Sequence, residues 1–135
     1  GFSVYAAAGG AQSVCSIDIS AAALETCKLN FNANALEQGT FIKADVFEVL
    51  KESVSQHNLI ILDPPAFGHG ANGEKWKLEE QLNEMISYVL QLLNPEEHFL
   101  VLNAYSLGLS AMLLPNLFQD FCAKNKKDSN PIIPK

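Results

Sequence analysis

Cysteine is scarce in this chain of 135 residues, and Cys15, Cys27 and Cys122 form an odd set with no CxxC spacing. That count argues against a disulfide framework and against a zinc site, and leaves reduced thiols in a cytoplasmic setting. Positive charge is also short: nine lysines and arginines stand against fifteen acidic residues, a formal net charge of −6. Such a balance opposes strong non-specific binding to nucleic acid. If RNA or DNA is the substrate, a local patch or a further segment must supply the backbone grip. No apolar run is long enough for a membrane span, and no signal peptide is seen. His57, His69 and His98 are scattered without metal-ligand spacing, so no metal is expected. The length leaves room for one domain with one core.

What is present alternates between strand and helix patterns. Phe2 to Ala8 reads as a short helix stopped by Gly9-Gly10. Ser13 to Ile17 reads as a strand ending at Asp18. Ser20 is a fit N-cap for a helix to about Leu36, with Leu24, Cys27 or Lys28, Phe31 and Ala35 on one stripe. Thr40 to Ala44 is a short strand ending at Asp45, and Val46 to Val54 a brief helix. Gly68 to Gly73 reads as a glycine-rich loop. From about Lys77 a long helix carries Leu78, Leu82, Met85, Ile86, Val89, Leu92 and Leu93 on its apolar stripe, and Asn94-Pro95 closes it. Phe99 to Leu102 is the next strand, and Leu109 to Ala123 a further helix. This alternation predicts an α/β fold, a mostly parallel sheet with helices on both faces. It assigns residues 1–123 to one domain and 124–135 to a polar tail with two prolines.

The densest chemical signal is Leu59-Ile60-Ile61-Leu62-Asp63-Pro64-Pro65-Ala66-Phe67. Four aliphatic residues read as a buried parallel strand, and proline cannot continue it. Asp63 therefore sits at the carboxyl end of the strand, where open α/β sheets place their ligands. Pro64 offers a carbonyl without a competing amide donor, and Phe67 offers a flat apolar ring. That set suits a planar substrate with an exocyclic amine. The alternative is a rigid turn with Phe67 in the core. Asp18, Asp45 and Asp63 each end a successive strand, which points to a ligand-binding edge, although each aspartate also suits an N-cap or a solvated loop.

Taken together, Gly1-Phe2-Ser3-Val4-Tyr5-Ala6-Ala7, Ser16-Ile17-Asp18-Ile19-Ser20, Ala44-Asp45-Val46-Phe47 and Leu62-Asp63-Pro64-Pro65-Ala66-Phe67 resemble the class I S-adenosylmethionine-dependent methyltransferases. They are most similar to the ribosomal-RNA large-subunit group in which a PUA-type RNA-binding domain precedes the catalytic domain. The resemblance covers roughly the first hundred residues. It implies a Rossmann-like, doubly wound fold whose first strand precedes Gly1, so that this chain is a catalytic domain truncated at its N-terminus. It implies S-adenosyl-L-methionine as cofactor and RNA as partner, with the preceding segment needed for full binding. Residue by residue, Asp18 corresponds to the acid that accepts from the ribose hydroxyls, and Ile19 to a residue packed on the adenine. Asp45 corresponds to the reader of the adenine amine with Val46 beside the ring, or else merely caps the next helix. Gly1 corresponds to a glycine of the first cofactor loop. Asp63, Pro64 and Phe67 fall on the catalytic acceptor site, and Asp63 also counts among the cofactor-binding positions.

Reaction type follows from what surrounds these positions. Carbon-5 methylation of a pyrimidine needs a cysteine thiolate that first adds to the ring. In the cytosine-modifying members that cysteine follows the strand matching Phe99–Leu102, and this chain reads Asn103-Ala104-Tyr105-Ser106 there. Amine methylation fits better, with Asp63 and the Pro64 carbonyl accepting from an NH2 and Phe67 stacking on the base. A cytosine-5 homologue, a small-molecule or protein methyltransferase, and a non-catalytic fragment of the same fold are the alternatives. Lys75-Trp76-Lys77 reads either as a cation-plus-aromatic contact to nucleic acid or as a helix start with Trp76 on the core. His69 and the lysines at 124, 126 and 127 read as solvated loop and tail residues.

Overall fold

The computed structural model describes residues 1–69, 75–103 and Gln119. Their order is α1 Phe2–Ala8, β1 Val14–Asp18, α2 Ala21–Ala33, β2 Gly39–Lys43, α3 Val46–Glu52, β3 Leu59–Leu62, β4 Phe67–His69, β5 Lys75–Lys77, α4 Leu78–Gln91 and β6 Phe99–Leu102. Residues 70–73 of the loop expected from Gly68 to Gly73, the expected helix over 109–123 apart from Gln119, Cys122 and the tail from 124 lie outside the described residues. Parallel ladders join β1 to β2, with Asp18 opposite Lys43, and β3 to β6, with Leu62 opposite Leu102. Parallel strands linked through helices make the Rossmann-like α/β arrangement expected from the alternation. The sheet is nevertheless built in pairs: among the described residues β1 and β3 share no ladder, and each has a single strand neighbour. No helix of the described residues is long and apolar enough to cross a membrane.

Register in the second pair is set outside the strands themselves. The His57 N–H donates to the Leu92 carbonyl at 2.8 Å, and the Asn94 N–H donates to the His57 carbonyl at 2.9 Å. Asn58 Nδ2 reaches the Glu97 carbonyl at 2.9 Å. These bonds fasten the end of α4 and the turn after it beside the start of β3, so β6 enters already aligned. Alternation then sends Ile60, Leu62, Leu100 and Leu102 to one face, where they meet Leu50, Met85, Val89 and Leu92 from α3, α4 and its end. Of the apolar stripe expected on α4, Leu82, Met85, Ile86, Val89, Leu92 and Leu93 are buried, and the side chain of Leu78 lies outside the described residues. On the surface, Lys51 Nζ lies 5.8 Å from the Phe47 ring and 5.7 Å from the Tyr88 ring, and 3.6 Å from a Glu84 carboxylate oxygen. One cation thereby bridges α3 and α4.

The first pair is covered by α1 and α2. Ser16 Oγ donates to Ser3 Oγ at 2.9 Å and lies 3.7 Å from Cys27 Sγ, so this face of β1 looks toward both helices. Gln38 Nε2 donates to the Ala7 carbonyl at 3.0 Å, closing the end of α1 from the residue before β2. Phe31 is buried and meets Phe41 edge-to-face, with ring centroids 5.2 Å apart.

Three expectations are corrected. The helix predicted to about Leu36 ends at Ala33, because Ala35 turns left-handed at φ 52° and the Leu36 N–H folds back to the Phe31 carbonyl at 3.0 Å. The aliphatic run at 59–62 is not buried on both faces: Leu62 is buried, whereas Leu59 is 44% exposed, and its partner Phe99 lies exposed across the ladder. Gly68 and His69 belong to an antiparallel hairpin with Trp76 and Lys75 rather than to a loop, and Lys75–Lys77 form its second strand rather than a helix start.

Gly39 allows the close packing of the two phenylalanines. A Cβ there would stand 2.7 Å from the Phe31 ring and 2.8 Å from the Phe41 ring. Gly39→Ala should therefore lower the unfolding free energy by about 1–3 kcal/mol. Added to a Phe31→Leu background, the same change should cost clearly less. Urea denaturation of the four proteins in this double-mutant cycle checks both expectations. In the same assay Ala35→Gly should raise stability by about 0.5–1 kcal/mol, since glycine adopts the left-handed conformation without a Cβ clash.

Candidate functional site

Every parallel strand must hand its chain to a connection at its carboxyl end, and the backbone donors there need partners. Two of the strand-end aspartates supply them. Asp18 Oδ1 accepts from the Ser20 N–H at 2.7 Å, and Ser20 Oγ in turn accepts from the Ala23 N–H at 3.2 Å, capping α2. Asp45 Oδ1 accepts from the Phe47 N–H at 2.8 Å as the N-cap of α3. The capping role left open for Asp45 in the sequence is thus real, and it uses one oxygen of the two. In both aspartates Oδ2 has no hydrogen-bond partner among the described residues, so each keeps an acceptor for a ligand.

Asp18 and Asp45 share one end of the β1–β2 pair, because Asp18 faces Lys43 in register and the Ala44 N–H donates to the Asp18 carbonyl at 3.3 Å. Asp18 is exposed, and Ile19 beside it is 41% exposed, an apolar surface next to an acceptor. Val46 is half-buried and packs against the core cluster. Gly1 is exposed, and a Cβ there would meet nothing within 4 Å. This acceptor set fits a ligand with paired hydroxyls and a flat ring: two carboxylates with acceptors to spare and a half-exposed aliphatic side chain.

Asp63 stands on the other strand pair. It is exposed, and no hydrogen bond or ion pair among the described residues joins it to Asp18, Asp45 or any other group. Pro64 is buried, Pro65 is exposed, and Phe67 is 74% exposed at the start of β4. The alternative that put Phe67 in the core is therefore removed. Lys77 faces Phe67 in the hairpin register, and its Nζ donates to Glu80 Oε1 at 2.6 Å. The side chains of His69, Lys75 and Trp76 lie outside the described residues. In the sequence Asn103 stands out only as a position without cysteine. Its N–H donates to the Leu62 carbonyl at 2.8 Å, which sets it level with Asp63 on the neighbouring strand. Continued alternation past Leu100 and Leu102 is the signal that would have found it.

Neither described cysteine resembles an activated nucleophile. Cys15 lies on β1, and partial burial pushes its thiol above the usual cysteine range, away from the thiolate. Cys27 is on α2 beside Ser16. No cluster of three metal-ligating side chains occurs among the described residues. A shallow depression of about 440 Å3 is lined by Lys28, Phe31, Asn32, Leu36 and Phe41 among others. It opens beside Gly39 at the amino end of β2, the opposite end from Asp45, and so is no part of the strand-end site.

The family model described as "Methyltransferase small domain" matches residues 2–132. Among curated proteins, the chain is 33% identical to "Ribosomal RNA large subunit methyltransferase I" of Photobacterium profundum, over 96% of this chain and 32% of that protein. It is 35% identical to "Ribosomal RNA large subunit methyltransferase K/L" of Shewanella frigidimarina, over 75% of this chain and 15% of that protein. The chain thus spans about a third or less of these curated relatives. A solved structure, the SAM-dependent methyltransferase from Agrobacterium tumefaciens, superposes with a TM-score of 0.79 at 33% identity, covering 88% of this chain and 39% of that one.

Capping by Asp45 has a direct consequence for stability. Asp45→Ala should lower the unfolding free energy by about 1 kcal/mol, while Asp45→Asn should retain most of it, since an amide oxygen also caps. Thermal denaturation of both variants checks this.

Proposed function

The chain belongs to the methyltransferase small domain family, and on that premise we propose that it transfers a methyl group from S-adenosyl-L-methionine to nucleic acid, with ribosomal RNA as substrate and a base amine as acceptor. The observation that carries the reading is the environment of Asp63. An exposed carboxylate, unpaired among the described residues, stands at the end of β3, beside a buried proline and one short loop from a ring that is 74% exposed. The ribosomal substrate is supported by the names of the curated relatives. A ribosomal substrate goes with a cytoplasmic setting.

Asp18 would hold the ribose hydroxyls of the cofactor and Ile19 its adenine face, with Asp45 Oδ2 accepting from the adenine amine, Val46 at the ring edge and Gly1 beside the methionine portion. When bound, the cofactor supplies an electrophilic methyl group, so the protein's task is alignment and the exclusion of water. Asp63 and the Pro64 carbonyl accept from the two hydrogens of the exocyclic amine, which turns the nitrogen lone pair out of the base plane and toward the methyl group. Phe67 stacks on the base, a contact of about 1–3 kcal/mol. A base within a duplex is first extruded, at about a few kcal/mol. The formal charge of −6 leaves the phosphate grip to a local patch or to a segment outside this chain. Carbon-5 chemistry is the weaker reading, because among the described residues no thiol lies at the carboxyl end of β3 or β6.

Asp18→Ala should weaken cofactor binding at least tenfold, as a lost pair of charge-assisted hydrogen bonds implies. Asp63→Ala should leave cofactor affinity nearly unchanged and abolish methyl transfer to ribosomal RNA. Calorimetry with S-adenosylhomocysteine, together with tritium transfer from labelled cofactor, separates the two effects. The opposite pattern would overturn both assignments.

A further inference from the structure

Asn103 takes no part in the scheme above, yet the ladder sets it beside Asp63. Leu62 pairs with Leu102, and the Asn103 N–H continues the same pattern by donating to the Leu62 carbonyl at 2.8 Å. The Phe99 N–H does the same to the Asn58 carbonyl at the other end of β6, so the register is constant from end to end. Position 103 therefore lies opposite position 63, about 4.8 Å away across a parallel ladder. Face follows from register. Ile60, Leu62, Leu100 and Leu102 belong to the packed face, and Phe99 and Val101 are exposed on the other. The next residue on each strand, Asp63 and Asn103, falls on the same side as Ile61 and Val101. Asn103 is half-buried, whereas Asp63 is exposed.

The chemistry of the pair is complementary. Ionised Asp63 only accepts hydrogen bonds, whereas the Asn103 amide also donates through Nδ2. An acceptor and a donor about one strand spacing apart match an amino group flanked by a ring nitrogen that carries a lone pair. Cytosine presents that edge, as do adenine and guanine, while uracil presents a carbonyl and an N–H instead. A second carboxylate at position 103 would repel Asp63 and offer nothing to the ring nitrogen.

We propose that Asn103 is a substrate-contacting specificity residue: its side-chain amide donates to the ring nitrogen beside the target amine, while Asp63 accepts from the amine itself. The proposal rests on the base-amine reading of the Asp63 site and adds which bases that site admits.

Cytidine and uridine monophosphate are suitable probes, because they are equal in size and neither competes as an adenine with the cofactor. The chain, labelled with 15N and saturated with S-adenosylhomocysteine, is titrated with each at millimolar concentration. The side-chain NH2 signals of Asn103 should shift with cytidine monophosphate, which should bind about tenfold more tightly than uridine monophosphate. Asn103→Asp, which preserves shape but removes the donor, should bring that ratio close to one. Unmoved Asn103 signals at saturation, an unchanged ratio in Asn103→Asp, or binding of neither nucleotide would overturn the proposal. The wild-type signals decide the matter even if the variant folds poorly. Asp63→Ala separates the two readings. If it erases the cytidine preference while Asn103→Asp keeps it, the amine site stands and the role of Asn103 falls. If both variants keep the preference, the amine site falls with it.

Discussion

Burial of Leu62 beneath Met85, Val89 and Leu92 governs which way Asp63 faces. Side chains along a strand alternate, so a slip of one residue would turn Asp63 toward the packed face and Leu62 into water. The slip is prevented twice. Apolar burial of Ile60, Leu62, Leu100 and Leu102 selects the face, and the bonds from His57 to Leu92 and Asn94 select the position along the strand. Neither device touches a substrate. Both act by making the last buried residue and the first exposed one neighbours in sequence, so that the core itself aims the carboxylate.

The strand ends also show how one residue can cap a helix and still keep an acceptor. A carboxylate has two oxygens, and a helix N-terminus offers amide donors that need only one of them. Asp18 and Asp45 each give Oδ1 to the backbone and keep Oδ2. The cap fixes the side-chain rotamer before any ligand arrives, so little torsional freedom remains to be lost on binding. Asp63 has no such tether among the described residues.

Much of the fold was legible in the sequence because the strongest signals are periodic. Leu82, Met85, Ile86, Val89, Leu92 and Leu93 recur at helical spacing, and these six are buried. Phe99–Leu102 and the strand-end positions of Asp18, Asp45 and Asp63 were equally plain from turn and proline signals. The failures have specific causes. The end of α2 was missed because alanine, not glycine, occupies the left-handed position at residue 35, so composition gives no stop. The β4–β5 hairpin is hidden in the sequence because Gly68 weakens the strand signal of β4, and Lys75-Trp76-Lys77 suits a helix start as well as a strand. Asn103 went unnoticed because a strand-end amide looks like any turn residue until register places it against Asp63.

The face of β3 and β6 turned away from the core carries Leu59, Phe99 and Val101, between 44% and 69% exposed. Apolar side chains standing together on a sheet invite self-association, and β1 and β3 each have a ladder edge without a strand partner among the described residues. The excess of acidic residues then acquires a colloidal meaning. At a formal charge of −6, copies of the chain repel one another before their apolar faces meet, and salt that screens this repulsion brings them closer. The acidity that discourages casual contact with nucleic acid thus also keeps an adhesive sheet dispersed, and low ionic strength is the condition in which that protection is greatest.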